Sequence, residues 1–193
     1  FHLETRYLHK SGSVIWGKAS ISCIRDDNGK ISFVVAAIEN ITDLKNAQIA
    51  LLESERFSRT VIDEAGDGIA VYSRDGNILV WNRFLADLTD LQPSDVIGRN
   101  ILKDIKFFSE EENKEMFDDS LRNGVFRERE FEYENSGKGS RSLLTTLGPL
   151  RNSSGDISGI IQIVRDVSTR KQFERDLQSA LDNLEKACRL QRE

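Results

Sequence analysis

The spacing of apolar residues changes period several times along this chain, and each change marks an element. From Asp67, "DGIAVYSRDGNILVWN" alternates as a strand over 68–73, breaks at Asp75-Gly76 and resumes over 77–81, which predicts a β-hairpin. "NRFLADLTDL" follows, with Phe84, Leu85, Leu88 and Leu91 at helical spacing. Pro93 and Gly98 punctuate "QPSDVIGRN" as a loop with a short helical piece. "SEEENKEMFDDSLRNG" predicts a helix over about 109–123, with Ser109 as N-cap, acidic residues at its positive end and Gly124 at its stop. Three β-runs, 125–135, 141–150 and 157–167, then show the partial alternation of an antiparallel sheet with one buried face. The order β-β-α-α-α-β-β-β is an α+β unit.

The pattern occurs twice. Sliding the chain by 126 positions places Tyr7 on Tyr133, Arg25 on Arg151, Gly29 on Gly155, Ile31 on Ile157, Ser32 on Ser158 and Lys45 on Lys171. Similar pairs fill the gaps: Ile24 with Leu150, Val35 with Ile161, Ile38 with Val164, Ile41 with Val167 and Thr42 with Ser168. The alignment runs without a gap from Glu4/Glu130 to Leu51/Leu177. Residues 1–54 therefore repeat the end of a unit whose full copy occupies about 56–180, and the chain is expected to begin inside a domain.

Composition narrows the function classes. The 193 residues are 38% hydrophobic and 31% charged with a net charge of −5, which suits a globular protein and argues against a nucleic-acid-binding face. The longest apolar run, Phe33–Ile38, is far short of the roughly 20 residues of a membrane span. Two distant cysteines, Cys23 and Cys188, make no disulfide framework, so a reducing cytoplasm is the expected location.

Several stretches together resemble the PAS domain family with its C-terminal PAC segment. "ESERFSRTVIDEAGDGIAVYSRDGNILVWNRFLADLTDL" resembles the family's opening, including the entry helix, the hairpin and Asn82 at the next helix. "VIGRN" resembles the following loop. "GDISGIIQIVRDVSTRKQFE" resembles the last strand and the Asp-Ile-Thr exit motif, here Asp166-Val167-Ser168. The resemblance implies a complete PAS unit over 56–168, a five-stranded antiparallel sheet flanked by helices. It implies the last three strands of another unit over 1–42, where Asn40 stands in place of the usual Asp. Residues 43–62 would be a linker helix and 169–193 a signalling helix.

The resemblance also implies a cavity between sheet and helices that can hold a small molecule. Candidate lining residues are Ile69, Val71, Leu79, Trp81, Asn82, Phe107, Phe108, Leu143, Leu147 and Ile161. Asn82 has two readings, helix N-cap or polar ligand contact, and Trp81 is either core or a stacking platform. The light-sensing branch carries a cysteine where this chain has Ile101 after Gly98-Arg99-Asn100, so a covalent flavin adduct is not expected. Haem is not expected either, because the helix at 109–123 has no histidine. His2 and His9 lie in the first copy as surface residues, and no His/Cys group has metal-ligand spacing. The cofactor, if one exists, stays open, non-covalent flavin included.

No catalytic motif appears, and with no histidine after residue 9 the phospho-acceptor helix of a histidine kinase is absent. If the parent is such a kinase, its catalytic part lies beyond Glu193. Leu177, Leu181, Leu184 and Cys188 form a heptad-like seam, which predicts a homodimeric coiled coil against the alternative of a helix folding back on its own domain. At the strand-to-helix junctions, Ser168 is expected to cap the last helix, with Asp166 reaching Arg170 or Lys171. Thr42 and Lys45 repeat the cap and cation beside Asn40. Together these features predict a sensory or relay module, with a redox sensor or a structural dimerisation spacer as rivals.

Overall fold

The computed structural model describes residues 1–105, 111–135 and 139–190. Two compact units divide the chain, Phe1–Thr60 and Val61–Glu193. The first holds strands β1 (His2–Leu8), β2 (Val14–Arg25) and β3 (Ile31–Asn40) and most of helix α1 (Thr42–Asp63). The second holds β4 (Gly68–Ser73), β5 (Ile78–Trp81), α2 (Arg83–Thr89), α3 (Pro93–Val96), α4 (Ile101–Asp104), α5 (Glu111–Asn123), β6 (Arg127–Asn135), β7 (Gly139–Arg151), β8 (Ile157–Asp166) and α6 (Ser168–Leu190).

Both sheets are antiparallel, ordered β1-β2-β3 and β5-β4-β8-β7-β6, and β6-β7-β8 forms a meander like β1-β2-β3. Their registers coincide at the offset read from the sequence. Glu4 faces Lys18 and Lys18 faces Glu39; 126 positions on, Glu130 faces Leu144 and Leu144 faces Arg165. Each meander bulges at the same place, Ile24/Arg25 and Leu150/Arg151. The tight turns match too: Asp26 Oδ1 accepts from the amides of Asn28 and Lys30, as Asn152 Oδ1 does from Ser154 and Asp156. One difference separates them. β8 carries β4 on its second edge, whereas β3 pairs with β2 alone among the described residues and leaves Phe33, Val34, Val35 and Ile38 exposed.

The core of the second unit lies between one sheet face and α2–α5. It contains Ala70, Tyr72, Ile78, Trp81, Leu85, Leu88, Val96, Ile101, Phe117, Leu143, Leu147, Ile160 and Val164. Strand alternation selects Ala70, Tyr72, Leu143, Leu147, Ile160 and Val164, and the helices supply Leu85, Leu88, Val96, Ile101 and Phe117. The pairing of β4 with β8 is unusually close at Gly159, where a Cβ would stand 2.1 Å from the Tyr72 carbonyl oxygen. The β4–β5 hairpin closes on three residues, with Gly76 alone at positive φ (84°), rather than on an Asp-Gly pair. A fourth helix, α4, adds one element to the order read from the sequence. It is a single turn capped by Asn100 Oδ1 on the Leu102 amide, too short to show a period. Ser109, the expected N-cap of α5, lies outside the described residues.

Candidate functional site

Each meander hands over to a helix through the same set of contacts. At the second junction, Asp166 Oδ1 accepts from the Ser168 amide at 2.9 Å, and Ser168 Oγ accepts from the Ser142 amide at 2.9 Å. The buried Val167 donates its amide to the Ser142 carbonyl and accepts the Lys171 amide, which starts the helix. At the first, Asn40 Oδ1 accepts from the Thr42 amide at 3.0 Å, and Thr42 Oγ1 accepts from the Trp16 amide at 2.9 Å. Ile41 repeats the bonds of Val167.

The cations do not go where the spacing suggests. Asp166 pairs with Arg141 of β7 at 3.3 Å, not with Arg170 or Lys171. Those two reach Glu130 of β6, Arg170 at 2.6 Å and Lys171 at 2.9 Å. The reason is geometric. The helix turns back over the meander, so its first-turn cations project across β7 while Asp166 is occupied at the helix start. Lys45 reaches Glu4 in the same way, at 2.7 Å, and its ammonium also lies 5.6 Å from the Trp16 ring centroid. Ser168 is itself the first helical residue; its hydroxyl pins the helix to β7 instead of capping it.

Electrostatics follow these partners. Partial burial works against the Asp166 charge, but hydrogen bonds from Ser168 and the nearby Arg141 outweigh it and hold the carboxyl below its ordinary value. A hydrogen bond from Lys171 is the leading cause that lowers Glu130, with Arg170 adding to it; a hydrogen bond from Lys45 does the same for Glu4. A cleft of about 520 Å³ opens beside the second junction, bordered by Glu132, Ser142, Ser168, Gln172, Phe173 and Arg175.

The interior site is arranged differently from the expected lining. Leu143 and Leu147 are buried on the core face. Ile69, Val71 and Ile161 sit on alternate positions of β4 and β8 and face away from it, and Leu79 is 54% exposed. A one-residue shift in register exchanges the faces, so the core side presents Ala70, Tyr72, Ile78, Ile160 and Gln162 instead. Phe107 and Phe108 lie outside the described residues. Trp81 is a core residue, its Nε1 donating to the Leu91 carbonyl at 3.1 Å.

Asn82 is fully buried and makes four hydrogen bonds within the protein. Its Oδ1 accepts from Ile69 and Leu85, the latter as N-cap of α2, and its Nδ2 donates to the carbonyls of Ile62 and Asp67. Every hydrogen-bonding position of its amide is thus taken. Polar character on the core face comes instead from residues that the apolar spacing hid. Tyr72 Oη donates to Gln162 Oε1, and Gln162 Nε2 donates to Thr145 Oγ1 at 2.8 Å. Burial pushes the Tyr72 phenol well above its ordinary value. The Phe117 ring meets Tyr72 edge-on, with centroids 6.0 Å apart. Leu177, Leu181 and Leu184 are exposed along α6, and the side chain of Cys188 lies outside the described set.

Comparison with known proteins agrees with this architecture. A family model for the PAS domain matches residues 1–43 and 66–169. A 95-residue stretch, 48% of this chain, is 30% identical to the probable diguanylate cyclase DgcE of Escherichia coli K12, and spans 8% of that protein's length. Among solved structures, the PAS domain of Bordetella pertussis BvgS is similar with a TM-score of 0.51 and 23% identity, over 68% of this chain and 98% of its own. That of an HTR-like protein from Haloarcula marismortui gives 0.50 and 23%, over 63% and 98%. A Vibrio cholerae VqmA dimer gives 0.52 and 17%, over 60% and 52%. PAS is a sensory, non-catalytic fold, and by its matched residues, its five-stranded sheet and its flanking helices this chain belongs to the PAS domain family.

Proposed function

We propose that the chain is a signal-relay segment of a cytoplasmic signalling protein, a sensor histidine kinase in the first instance. Residues 1–42 are the last strands of one PAS unit, 43–62 link it to a complete unit at 56–168, and 169–193 carry the state of that unit onward as a dimeric helix. The observation that carries the reading is the repeated junction. Two sheets, 126 positions apart, are tied to their following helices by the same amide, hydroxyl and ammonium contacts. Such a junction converts a change in sheet packing into a change in helix direction. Similarity to part of a diguanylate cyclase supports a sensory role upstream of an output enzyme. No helix among the described residues is long and apolar enough to cross a membrane.

The test is made in the parent protein. Asp166→Ala is expected to change the response of the output to its signal while the PAS unit stays folded. An unchanged response would reject the relay. The dimer is tested separately by light scattering: a monomer at every concentration rejects the seam of Leu177, Leu181 and Leu184.

A further inference from the structure

We infer that Asp67, Arg165 and Asn82 form a latch that ties the last turn of α1 to the start of α6 around the outside of the sheet. The contacts are specific. Arg165 Nε lies 3.2 and 3.0 Å from Asp67 Oδ1 and Oδ2, and Arg165 Nη2 lies 2.7 Å from Oδ2. This is a bidentate fork, the most directional pairing a carboxylate makes. The Asp67 carbonyl accepts from Asn82 Nδ2 at 3.0 Å, and the same amide nitrogen donates to the Ile62 carbonyl at 2.9 Å. Ile62 belongs to the last turn of α1, and its carbonyl also accepts from the Ala65 amide at 3.4 Å. A single buried side chain therefore grips both the helix that enters the unit and the loop that follows it.

The latch occupies a particular place in the sheet. Gly68 and Val164 form the last paired rung of β4 and β8. Asp67 and Arg165 are the next residues on each strand, so their side chains extend the ladder by one rung. Arg165 is followed at once by Asp166, whose carboxylate holds the Ser168 amide at the base of α6. The path from Ile62 to Ser168 thus runs through one amide, one ion pair and one capping carboxylate, and it bypasses the Tyr72–Gln162–Thr145 chain inside the core.

The arginine of the fork is not repeated at the first junction. The counterpart of Arg165 is Glu39, which has no cation to offer a carboxylate. The repeat preserves the clasp on the following helix but places Glu39 where the second unit has Arg165. That difference assigns the fork to coupling between the two helices, since the junction itself forms without it.

The inference builds on the relay reading, yet its test needs only this chain. Hydrogen–deuterium exchange is followed at residues 168–175 while α1 is loosened by Arg59→Gly, an exposed helical position. With Arg165 in place, loosening α1 is expected to speed exchange at the base of α6 about threefold, the scale of an exposed ion pair. In the Arg165→Ala background the ratio is expected to fall to about one. The exchanged pair Asp67→Arg with Arg165→Asp is expected to restore it. Protection at Leu143–Leu147 reports that the sheet is intact. A ratio of one with Arg165 present, or an unchanged ratio in Arg165→Ala, overturns the latch. Either result leaves the output assay of the parent protein free to judge the relay on its own.

Discussion

Lys171 Nζ lies 2.9 Å from Glu130 Oε2, and 126 positions earlier Lys45 Nζ lies 2.7 Å from Glu4 Oε2. Each pair spans its meander, joining the helix that leaves the last strand to the first strand of the same three. The contact is therefore a measure of how far the helix leans back over its sheet. In the second unit Arg170 reaches the same carboxylate, so Glu130 is paired with both Arg170 and Lys171.

This arrangement predicts an acid-sensitive clasp. Glu130 has a folded-state pKa below its ordinary carboxylate value, with the Lys171 hydrogen bond as leading cause. A depressed carboxylate contributes stability above its unfolded pKa and loses it as pH falls through the folded one. Exchange protection at the first turn of α6 is expected to hold near neutrality and to decline below the usual carboxylate range. Glu130→Gln is expected to remove that part of the acid dependence. An acid profile identical in Glu130→Gln and the unaltered chain would contradict it.

At Asp166 two substitutions separate two roles. Asp166→Ala removes both the acceptor for the Ser168 amide and the partner of Arg141, and loss of such a helix-start acceptor costs about 1 kcal/mol. Asp166→Asn keeps the amide acceptor and loses the charge, reproducing the chemistry of Asn40 at the first junction. Urea unfolding is expected to show a clearly smaller loss for Asn than for Ala. Equal losses would mean that the Arg141 pair, not the amide bond, dominates.

Asn82→Ala is expected to be the most damaging single substitution in the second unit outside its apolar core. It strips partners from the amides of Ile69 and Leu85 and the carbonyls of Ile62 and Asp67. Unsatisfied groups of this kind cost about 1–3 kcal/mol each, so a total of about 3 kcal/mol or more is expected in chemical denaturation. A loss under about 1 kcal/mol would show that water replaces the amide.

Tyr72→Phe tests the polar chain in the core. The ring and its contact with Phe117 are kept, while Gln162 Oε1 loses its donor. Destabilisation of about 1–2 kcal/mol is expected from urea unfolding. Because burial raises the phenol's pKa, Tyr72 is also expected to ionise in alkali only as the unit opens, which ultraviolet difference spectra can follow.

Much of this was readable in the residues, and the failures have physical causes. The β-runs and the hairpin around Gly76 come from periodicity and turn chemistry, and the offset of 126 positions from sliding the chain against itself. The offset even pairs Glu4 with Glu130, the partner of each cation, at the first position of the gapless alignment. Sequence spacing alone pointed Lys171 to Asp166, because neighbours in sequence are visible and neighbours across a meander are not. The cavity-facing set failed for another reason. Ile69, Val71, Leu79 and Ile161 are as apolar as the buried residues beside them, so hydrophobicity cannot choose the face. Tyr72 and Gln162 were passed over because a polar pair is acceptable in a core only when it is satisfied, and that is a property of three dimensions.

Asn82 has one further consequence. Deamidation would turn the nitrogen that faces the Ile62 and Asp67 carbonyls into a carboxylate oxygen, setting like against like at two points. While the unit is closed the amide is buried and shielded from hydrolysis. The damage can accrue only during opening, and once made it opposes reclosure. An aspartate at position 82 is therefore expected to oppose closure of the unit.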